Sequence, residues 1–136
     1  GFAKPELFQK VMEHVDYILF DVKHWSEKIH RSGTNVSNEL PLANLKYAID
    51  AGKEVLPRIP VIPGFNNSSE DAIKLVQTLR LAGAARCQLL PFHQFGENKY
   101  HLLNYPYKYE NVPSLHREDL QEYLQIFRNM DIDAFF

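Results

Sequence analysis

A carboxylate and an ammonium group stand two residues apart at the end of an apolar run in this sequence. The run is YILFD, and Asp21 and Lys23 follow at its end. Strand side chains alternate between two faces, so both charged residues are expected on the face that carries Leu19. Ligands of parallel α/β folds bind at the carboxyl ends of the strands. The spacing therefore predicts that Asp21 and Lys23 face a ligand pocket.

Two more polar residues accompany later strand candidates. Arg58 lies in the segment EVLPRIPVIPG, and His93 ends the segment CQLLPFH. The carboxyl ends of neighbouring parallel strands meet at one edge of a sheet, so these residues are expected beside Asp21 and Lys23. The four residues together predict a polar pocket of mixed charge, suited to a zwitterionic ligand that carries hydroxyl groups.

Each of these residues also has a structural interpretation. Asp21 and Lys23 could form one satisfied ion pair. Arg58 could pair with a carboxylate from another strand, and His93 could be a structural histidine. We favour a binding site because one pocket explains four polar strand ends at once. Four other histidines show no metal-ligand spacing and are expected on the surface or in loops: His14, His30, His101 and His116.

Strand and helix signals alternate along the chain, which predicts a parallel sheet with right-handed crossovers. Helical patterns cover about residues 5–12, 39–51, 68–82 and 115–130, and strand patterns cover YILFD, EVLPRIPVIPG, CQLLPFH and the terminal IDAFF. The three prolines of the second strand predict an edge position, or chain just past the sheet, because proline cannot donate to a ladder. Residues 24–38 are expected to be a polar loop, and residues 96–113 an irregular aromatic segment.

Size and composition limit the classes of protein that remain. The 136 residues carry a net charge of −2 and 45% hydrophobic residues, which predicts one globular domain, residues 1–136. No basic run favours nucleic acid or an anionic membrane, and no segment resembles a membrane span or a signal peptide. Cys87 is the one cysteine, which predicts a reducing, cytoplasmic compartment and excludes an iron–sulfur cluster held by this chain's own thiolates.

Four segments, read in order, resemble the activating enzymes of glycyl radical enzymes, the pyruvate formate-lyase activating family of the radical S-adenosylmethionine (SAM) superfamily. DYILFDVKH is similar to the D-x-K strand of that family, and HRSGTNVSNELPLANL to its H-x-x-x-T-G-x-S-N segment. RIPVIPGFNN and LLPFHQFGENKY are similar to its R-x-P-x-I-P-G-x-N and L-P-x-H-x-x-G-x-x-K-Y segments. Asn35 stands where the family has glycine, and asparagine tolerates the positive φ that this turn requires.

The resemblance implies an α/β fold, the C-terminal half of a partial (β/α)6 radical-SAM barrel. A closed eight-stranded barrel takes about 250 residues, which also favours a part of a larger barrel. The resemblance assigns SAM contacts to Asp21, Lys23 and His93, places Val22 at the same strand end, and puts Arg58 near the methionine end of SAM. It also makes Asp21 a candidate ligand of a monovalent cation.

For the complete enzyme, the resemblance implies reductive cleavage of SAM to a 5′-deoxyadenosyl radical, which removes hydrogen from a glycine of a pyruvate formate-lyase-like partner. A [4Fe–4S] cluster is implied as well, bound by residues outside this chain, with flavodoxin or ferredoxin as electron donor. The 136 residues alone are therefore expected to be inactive. The alternatives are a self-sufficient α/β module that binds a small molecule, and an interaction fragment without radical chemistry.

Overall fold

The computed structural model describes residues 1–136, which form one parallel sheet with helices packed against it. The four strands pair in the order β1-β2-β3-β4. They are β1 Tyr17–Asp21, β2 Glu54–Val61, β3 Arg86–Pro91 and β4 Asp133–Phe135. The helices are α1 Pro5–Met12, α2 Glu27–Thr34, α3 Glu39–Asp50, α4 Ser69–Leu81, α5 Glu97–Leu102 and α6 Gln121–Asn129. The α/β class with parallel strands is confirmed, including the short strand in IDAFF.

The alternation of side chains along the strands separates a covered face of the sheet from a more open one. Ile18 and Phe20 of β1 and Leu89 of β3 belong to a core cluster of 22 buried residues. The helices contribute much of the rest of that cluster, including Phe8, Leu45, Val76, Leu79 and Phe127. Burial of these apolar side chains is the main force that holds the helices to one face. The opposite face is open at β1, where 51% of Leu19 is exposed.

The prediction of a loop over residues 24–38 was wrong, because α2 lies inside that segment. The helix has eight residues and buries only His30, so it has no apolar stripe that sequence periodicity could detect. It ends at Asn35, whose φ of 62° is left-handed. The positive φ predicted for Asn35 in place of glycine is therefore confirmed.

The prediction of an edge position for the second strand was also wrong. β2 pairs with β1 on one side and with β3 on the other, although Pro57 and Pro60 lie within it. Pro63 follows the end of the strand, so the alternative of chain just past the sheet holds for this proline. At the end of β2, Asn66 Nδ2 donates to the Pro60 carbonyl at 2.8 Å, and Asn66 Oδ1 accepts from the Ile62 N–H. These bonds hold the chain where the strand ends, but they do not replace the backbone N–H that each proline lacks.

A capping box starts α4, since the Ser68 hydroxyl and the Asp71 carboxylate bond to each other's backbone N–H. The last helix is shorter than its sequence pattern predicted, because a 3₁₀ turn at Glu118–Leu120 precedes α6. Residues 96–113 are largely irregular, as predicted, but they include the short helix α5. None of the helices combines the length and the apolar character needed to cross a lipid bilayer.

Candidate ligand-binding site

A cavity of about 390 Å³ lies at the carboxyl ends of β1 and β2, and we call it the polar cavity. Its volume falls within the range of small-molecule sites in proteins. Its polar lining comes from β1 and the residues just after it, from β2 and from α2: Asp21, Lys23, His30, Thr34 and Arg58. The structure therefore brings three of the predicted site residues, Asp21, Lys23 and Arg58, into one cavity.

Asp21 pairs with both cations of the polar cavity. Arg58 donates from Nε and Nη2 to Oδ1 of Asp21, at 3.0 and 2.8 Å. Lys23 Nζ donates to the other carboxylate oxygen at 3.3 Å. Parallel pairing sets Asp21 opposite Arg58, which explains the close contact. Two cations share one carboxylate, so the cavity keeps a surplus of positive charge and free N–H donors for an anionic or hydroxyl group.

A buried asparagine fixes the backbone that carries these side chains. Asn66 is fully buried, and its Nδ2 donates to the carbonyls of Lys23 and Pro60, both at 2.8 Å. Its Oδ1 accepts from the N–H of Ile62 at 2.7 Å. Tyr123 donates its hydroxyl to the Asn66 carbonyl at 2.9 Å. The Asn66 side chain thus ties the end of β1 to the end of β2, and Tyr123 of α6 holds the backbone of Asn66.

A second network lies beside Asn66 and connects the loop after β1 to the start of α4. His24 accepts the Ser26 N–H at Nδ1 over 2.9 Å, so its Nε2 carries the proton and donates to the Phe65 carbonyl at 3.0 Å. Trp25 donates its indole N–H to Asp71 at 2.8 Å. The amide of Asn38 donates to the carbonyls of His24 and Trp25. These bonds fix the chain on both sides of α2.

Burial and hydrogen bonding move two pKa values in this network. Burial lowers the pKa of His24, against the opposing attraction of the Asp71 carboxylate 3.5 Å away. Burial by itself would raise the pKa of Asp71, but hydrogen bonds from Ser68 and Trp25 outweigh it and lower that pKa. The network is therefore built for a neutral His24 and an ionised Asp71.

His93, the fourth predicted site residue, lies in a different cavity. This cavity of about 350 Å³ is at the ends of β2 and β3, and we call it the aromatic cavity because Phe92, Tyr100, Tyr107 and Tyr109 line it. His93 is exposed, and its ring packs on Phe95 with centroids 4.2 Å apart. The structure therefore separates His93 from the charged groups of the polar cavity.

The fifth predicted residue, Val22, points the other way. Its side chain is 3% exposed and belongs to the core cluster, because it alternates with the side chains of Asp21 and Lys23. Its backbone N–H donates to the Arg58 carbonyl at 2.8 Å, which extends the β1–β2 ladder to the cavity. Val22 can reach a ligand through its backbone only.

Sequence reasoning missed His30, which it assigned to the surface or a loop. The structure buries His30 to 5% exposure on α2 and places it in the wall of the polar cavity. The signal that would have found it is the H-x-x-x-T spacing, since residues four apart share one face of a helix. Thr34, at that spacing, donates its hydroxyl to the His30 carbonyl at 2.8 Å.

The donor groups fit part of a SAM molecule but not an iron–sulfur cluster. The polar cavity offers cationic donors for a carboxylate and neutral groups for hydroxyls. Cys87 is fully buried in the core, and burial raises the pKa of its thiol to about 12. One buried thiol cannot supply the set of thiolates that such a cluster requires.

Elsewhere Glu97, His101 and Glu110 bring ligand atoms within 4.8 Å of one another, although sequence spacing had predicted no metal site.

The fold and the site define a class: an α/β protein with a parallel sheet whose charged side chains gather at the carboxyl ends of its strands. No family model matches the chain. It is 33% identical over 138 residues to the 4-hydroxyphenylacetate decarboxylase activating enzyme of Clostridium scatologenes. It is 36% identical over 135 residues to the choline trimethylamine-lyase activating enzyme of Oleidesulfovibrio alaskensis. These alignments cover 99% and 96% of this chain.

Over nearly its whole length, the chain is thus homologous to the activating enzymes of glycyl radical enzymes. It spans only 44% of the length of either relative. Its fold is also similar to a solved structure, a domain of a pyruvate-formate lyase-activating enzyme from Bacteroides vulgatus. That comparison has a TM-score of 0.76 and 23% sequence identity, and it covers 98% of this chain and 74% of the other. The resemblance read from the four sequence segments is therefore confirmed.

Proposed function

We propose that the chain is the C-terminal part of a radical SAM barrel in a glycyl-radical-enzyme activating enzyme, and that its polar cavity holds part of SAM. The observation that carries the proposal is the cavity at the strand ends, which two cations, Lys23 and Arg58, and only one carboxylate, Asp21, line. The names of the homologous proteins support the activating role. SAM, when bound, supplies the carbon radical that removes a hydrogen atom from the partner enzyme.

In this proposal the residues of the chain bind and orient rather than transfer protons. Lys23 and Arg58 donate hydrogen bonds to the carboxylate or ribose of SAM, and Asp21 holds both cations in position. Asp21 is also the candidate ligand of a monovalent cation. Val22 contributes its backbone at the strand end. His93 approaches SAM from the aromatic cavity and donates or accepts one hydrogen bond, for which its exposed ring is free to reorient.

The proposal extends to the parts that this chain does not supply. The [4Fe–4S] cluster is held by thiolates outside these residues, and flavodoxin or ferredoxin provides the electron. The partner is a glycyl radical enzyme, of the pyruvate formate-lyase type in our proposal, whose glycine loop approaches near residues 96–109. A cytoplasmic location belongs to the same proposal, since the one thiol of the chain is free.

The experiment that tests this function uses the complete product of the coding DNA that contains these residues. After anaerobic reconstitution with iron and sulfide, the measurement is release of 5′-deoxyadenosine from SAM under reducing conditions. Lys23→Ala should lower the release at subsaturating SAM by at least about tenfold, because one charged hydrogen-bond donor is lost. Lys46→Ala is the matched control, since Lys46 is exposed on α3 and pairs only with Asp50. Equal release by both variants would refute the assignment of Lys23.

The second candidate is a self-sufficient module that binds a small molecule without radical chemistry. One observation favours it: within these residues, Asp21, Lys23 and Arg58 are already held together by ion pairs in a cavity of about 390 Å³. The candidates differ in what the 136 residues do alone. A self-sufficient module binds its ligand tightly in isolation, whereas the part of an activating enzyme binds SAM weakly until the remaining residues are present. Isothermal titration of the chain and of the complete protein with SAM separates the two.

A further inference from the structure

One ring nitrogen of His30 is committed to the protein, and the other is not. Nδ1 lies 2.8 Å from the Val36 carbonyl oxygen and 3.0 Å from the Thr34 hydroxyl. That hydroxyl already donates to the His30 carbonyl at 2.8 Å. A carbonyl oxygen can only accept, so Nδ1 carries the proton of the neutral ring. Nε2 is then left with an unshared electron pair.

Nε2 of His30 forms no hydrogen bond with any group of the chain. Every buried side-chain nitrogen and oxygen of the chain has a partner, so Nε2 must be accessible to solvent. His30 lines the polar cavity and is only 5% exposed overall, which makes the cavity the route of that access. A side chain that is almost fully buried thus directs one unpartnered acceptor at the site.

The other groups of the polar cavity offer more donors than acceptors. Lys23 and Arg58 can only donate, and the Asp21 carboxylate already accepts three hydrogen bonds from them. A SAM-like ligand carries N–H and O–H groups as well as a carboxylate, so cationic residues alone would leave its donors without partners. A desolvated donor without a partner costs about 1–3 kcal/mol, which favours an acceptor in this wall.

We propose that His30 contacts the ligand directly, with Nε2 accepting a hydrogen bond from an N–H or O–H group of the bound molecule. This inference rests on the proposed function, because it names a further contact within the same cavity. The ring then has two roles. Nδ1 donates to the Val36 carbonyl and stabilises the turn after α2, and Nε2 accepts a hydrogen bond from the ligand. Neither role requires the ring to move.

The test observes the two ring nitrogens of His30 by nuclear magnetic resonance in the complete protein that contains these residues, uniformly labelled with ¹⁵N. Without ligand, His30 should show a protonated Nδ1 and an unprotonated Nε2. Titration with millimolar SAM should then shift the Nε2 resonance in the direction of hydrogen bonding, while Nδ1 changes little. Separate titrations with methionine and with adenosine identify which half of SAM carries the donor.

Two substitutions separate the ligand contact from the turn. His30→Asn places an amide N–H near the position of Nδ1 and nothing at Nε2, so the melting temperature should stay near that of the wild type. Its affinity for SAM should fall by about tenfold, as expected for the loss of one hydrogen bond. His30→Gln restores a polar group near Nε2 and should recover part of the affinity. His101→Asn is the matched control, because His101 is exposed outside the polar cavity.

The outcomes distinguish this inference from the proposed function. A SAM-dependent shift of the Lys23 amide, without a response of His30 Nε2, would overturn the contact and leave the function standing. The same conclusion would follow if His30→Asn bound SAM as tightly as the wild type. If neither Lys23 nor His30 responded to any of the three molecules, both the contact and the binding role of the polar cavity would be wrong.

Discussion

The polar cavity and the aromatic cavity lie at the same edge of the sheet, but they are built differently. In the polar cavity, Asp21 holds both Lys23 and Arg58, and the fully buried Asn66 holds the backbone beneath them. In the aromatic cavity, His93 is exposed and touches a side chain, Phe95, that is itself 85% exposed. The charged groups of the first are held in place before a ligand binds, whereas the rim of the second consists of exposed side chains with few contacts.

One edge of the sheet thus carries two kinds of cavity: the polar cavity has fixed side chains, and the aromatic cavity has an exposed rim. Rigid placement lowers the entropic cost of ordering side chains on binding. Adaptable aromatic surface suits contact with a large partner, because tyrosine and phenylalanine contribute wide apolar area. The four variants below test this contrast between the two cavities.

The largest effect is expected from Asn66→Ala. The substitution leaves the carbonyls of Lys23 and Pro60 and the N–H of Ile62 without their partner in a partly buried place. The free energy of unfolding should fall by about 3 kcal/mol, since each orphaned buried group costs about 1–3 kcal/mol. Equilibrium unfolding in denaturant measures this loss of free energy. Asn67→Ala is the control, because Asn67 bonds only the exposed Gly64 N–H, and a similar loss in both variants would contradict the role of Asn66.

A smaller effect is expected on acidification, through His24. Its pKa is lowered in the folded chain because the ring is buried. Below the unfolded value of about 6.5 the unfolded chain takes up a proton that the folded ring resists, so protons favour unfolding. Stability should therefore decline as the pH falls from about 6.5 toward 5, by at most about 1.4 kcal/mol per pH unit.

The control for that decline is His24→Gln, whose amide cannot titrate. The variant should be less stable at neutral pH, because it loses the bond to the Ser26 N–H, but it should lack the slope between pH 6.5 and 5. Amide hydrogen exchange should place the acid effect around Lys23 and Asn38 and leave the aromatic cavity unchanged. An identical slope in wild type and variant would show that another group is responsible.

Gln94→Ala should loosen the aromatic cavity and spare the polar one. The Gln94 amide donates to the carbonyls of Tyr109, Glu110 and Val112, which holds the far end of the aromatic segment. Cleavage by chymotrypsin near Tyr105 should become several-fold faster, while global stability changes by about 1 kcal/mol or less, as for a partly exposed group. Gln125→Ala, which removes an exposed bond to Asn129, should leave the cleavage rate unchanged.

The smallest structural effect is expected from His93→Ala. The ring is exposed and forms no hydrogen bond to another segment, so stability should change by less than about 0.5 kcal/mol, as at other surface positions. Under the proposed function, the complete protein should still bind SAM several-fold more weakly. His116→Ala, also exposed, is the control. Unchanged SAM affinity for His93→Ala would remove the aromatic cavity from the binding site.

The sequence by itself determined the class of fold and the meeting of three charged residues. Strand parity and the common edge of parallel strands place Asp21, Lys23 and Arg58 together, and the structure has them in one cavity. The capping box at Ser68 and the left-handed turn at Asn35 were equally local, since each depends on a few neighbouring residues. The ligand-binding role of Asp21, Lys23 and Arg58 stays a prediction until a ligand is tested.

The tertiary structure alone decided the other features of the site. Helix α2 has no apolar stripe, and β2 is a central strand between β1 and β3 although it contains two prolines. The sequence predicted His93 in the charged pocket and His30 on the surface or in a loop. The structure has His93 exposed at the aromatic cavity and His30 in the wall of the polar cavity. Periodicity reports which face of an element is apolar, but the path of a loop depends on hydrogen bonds between residues far apart in sequence.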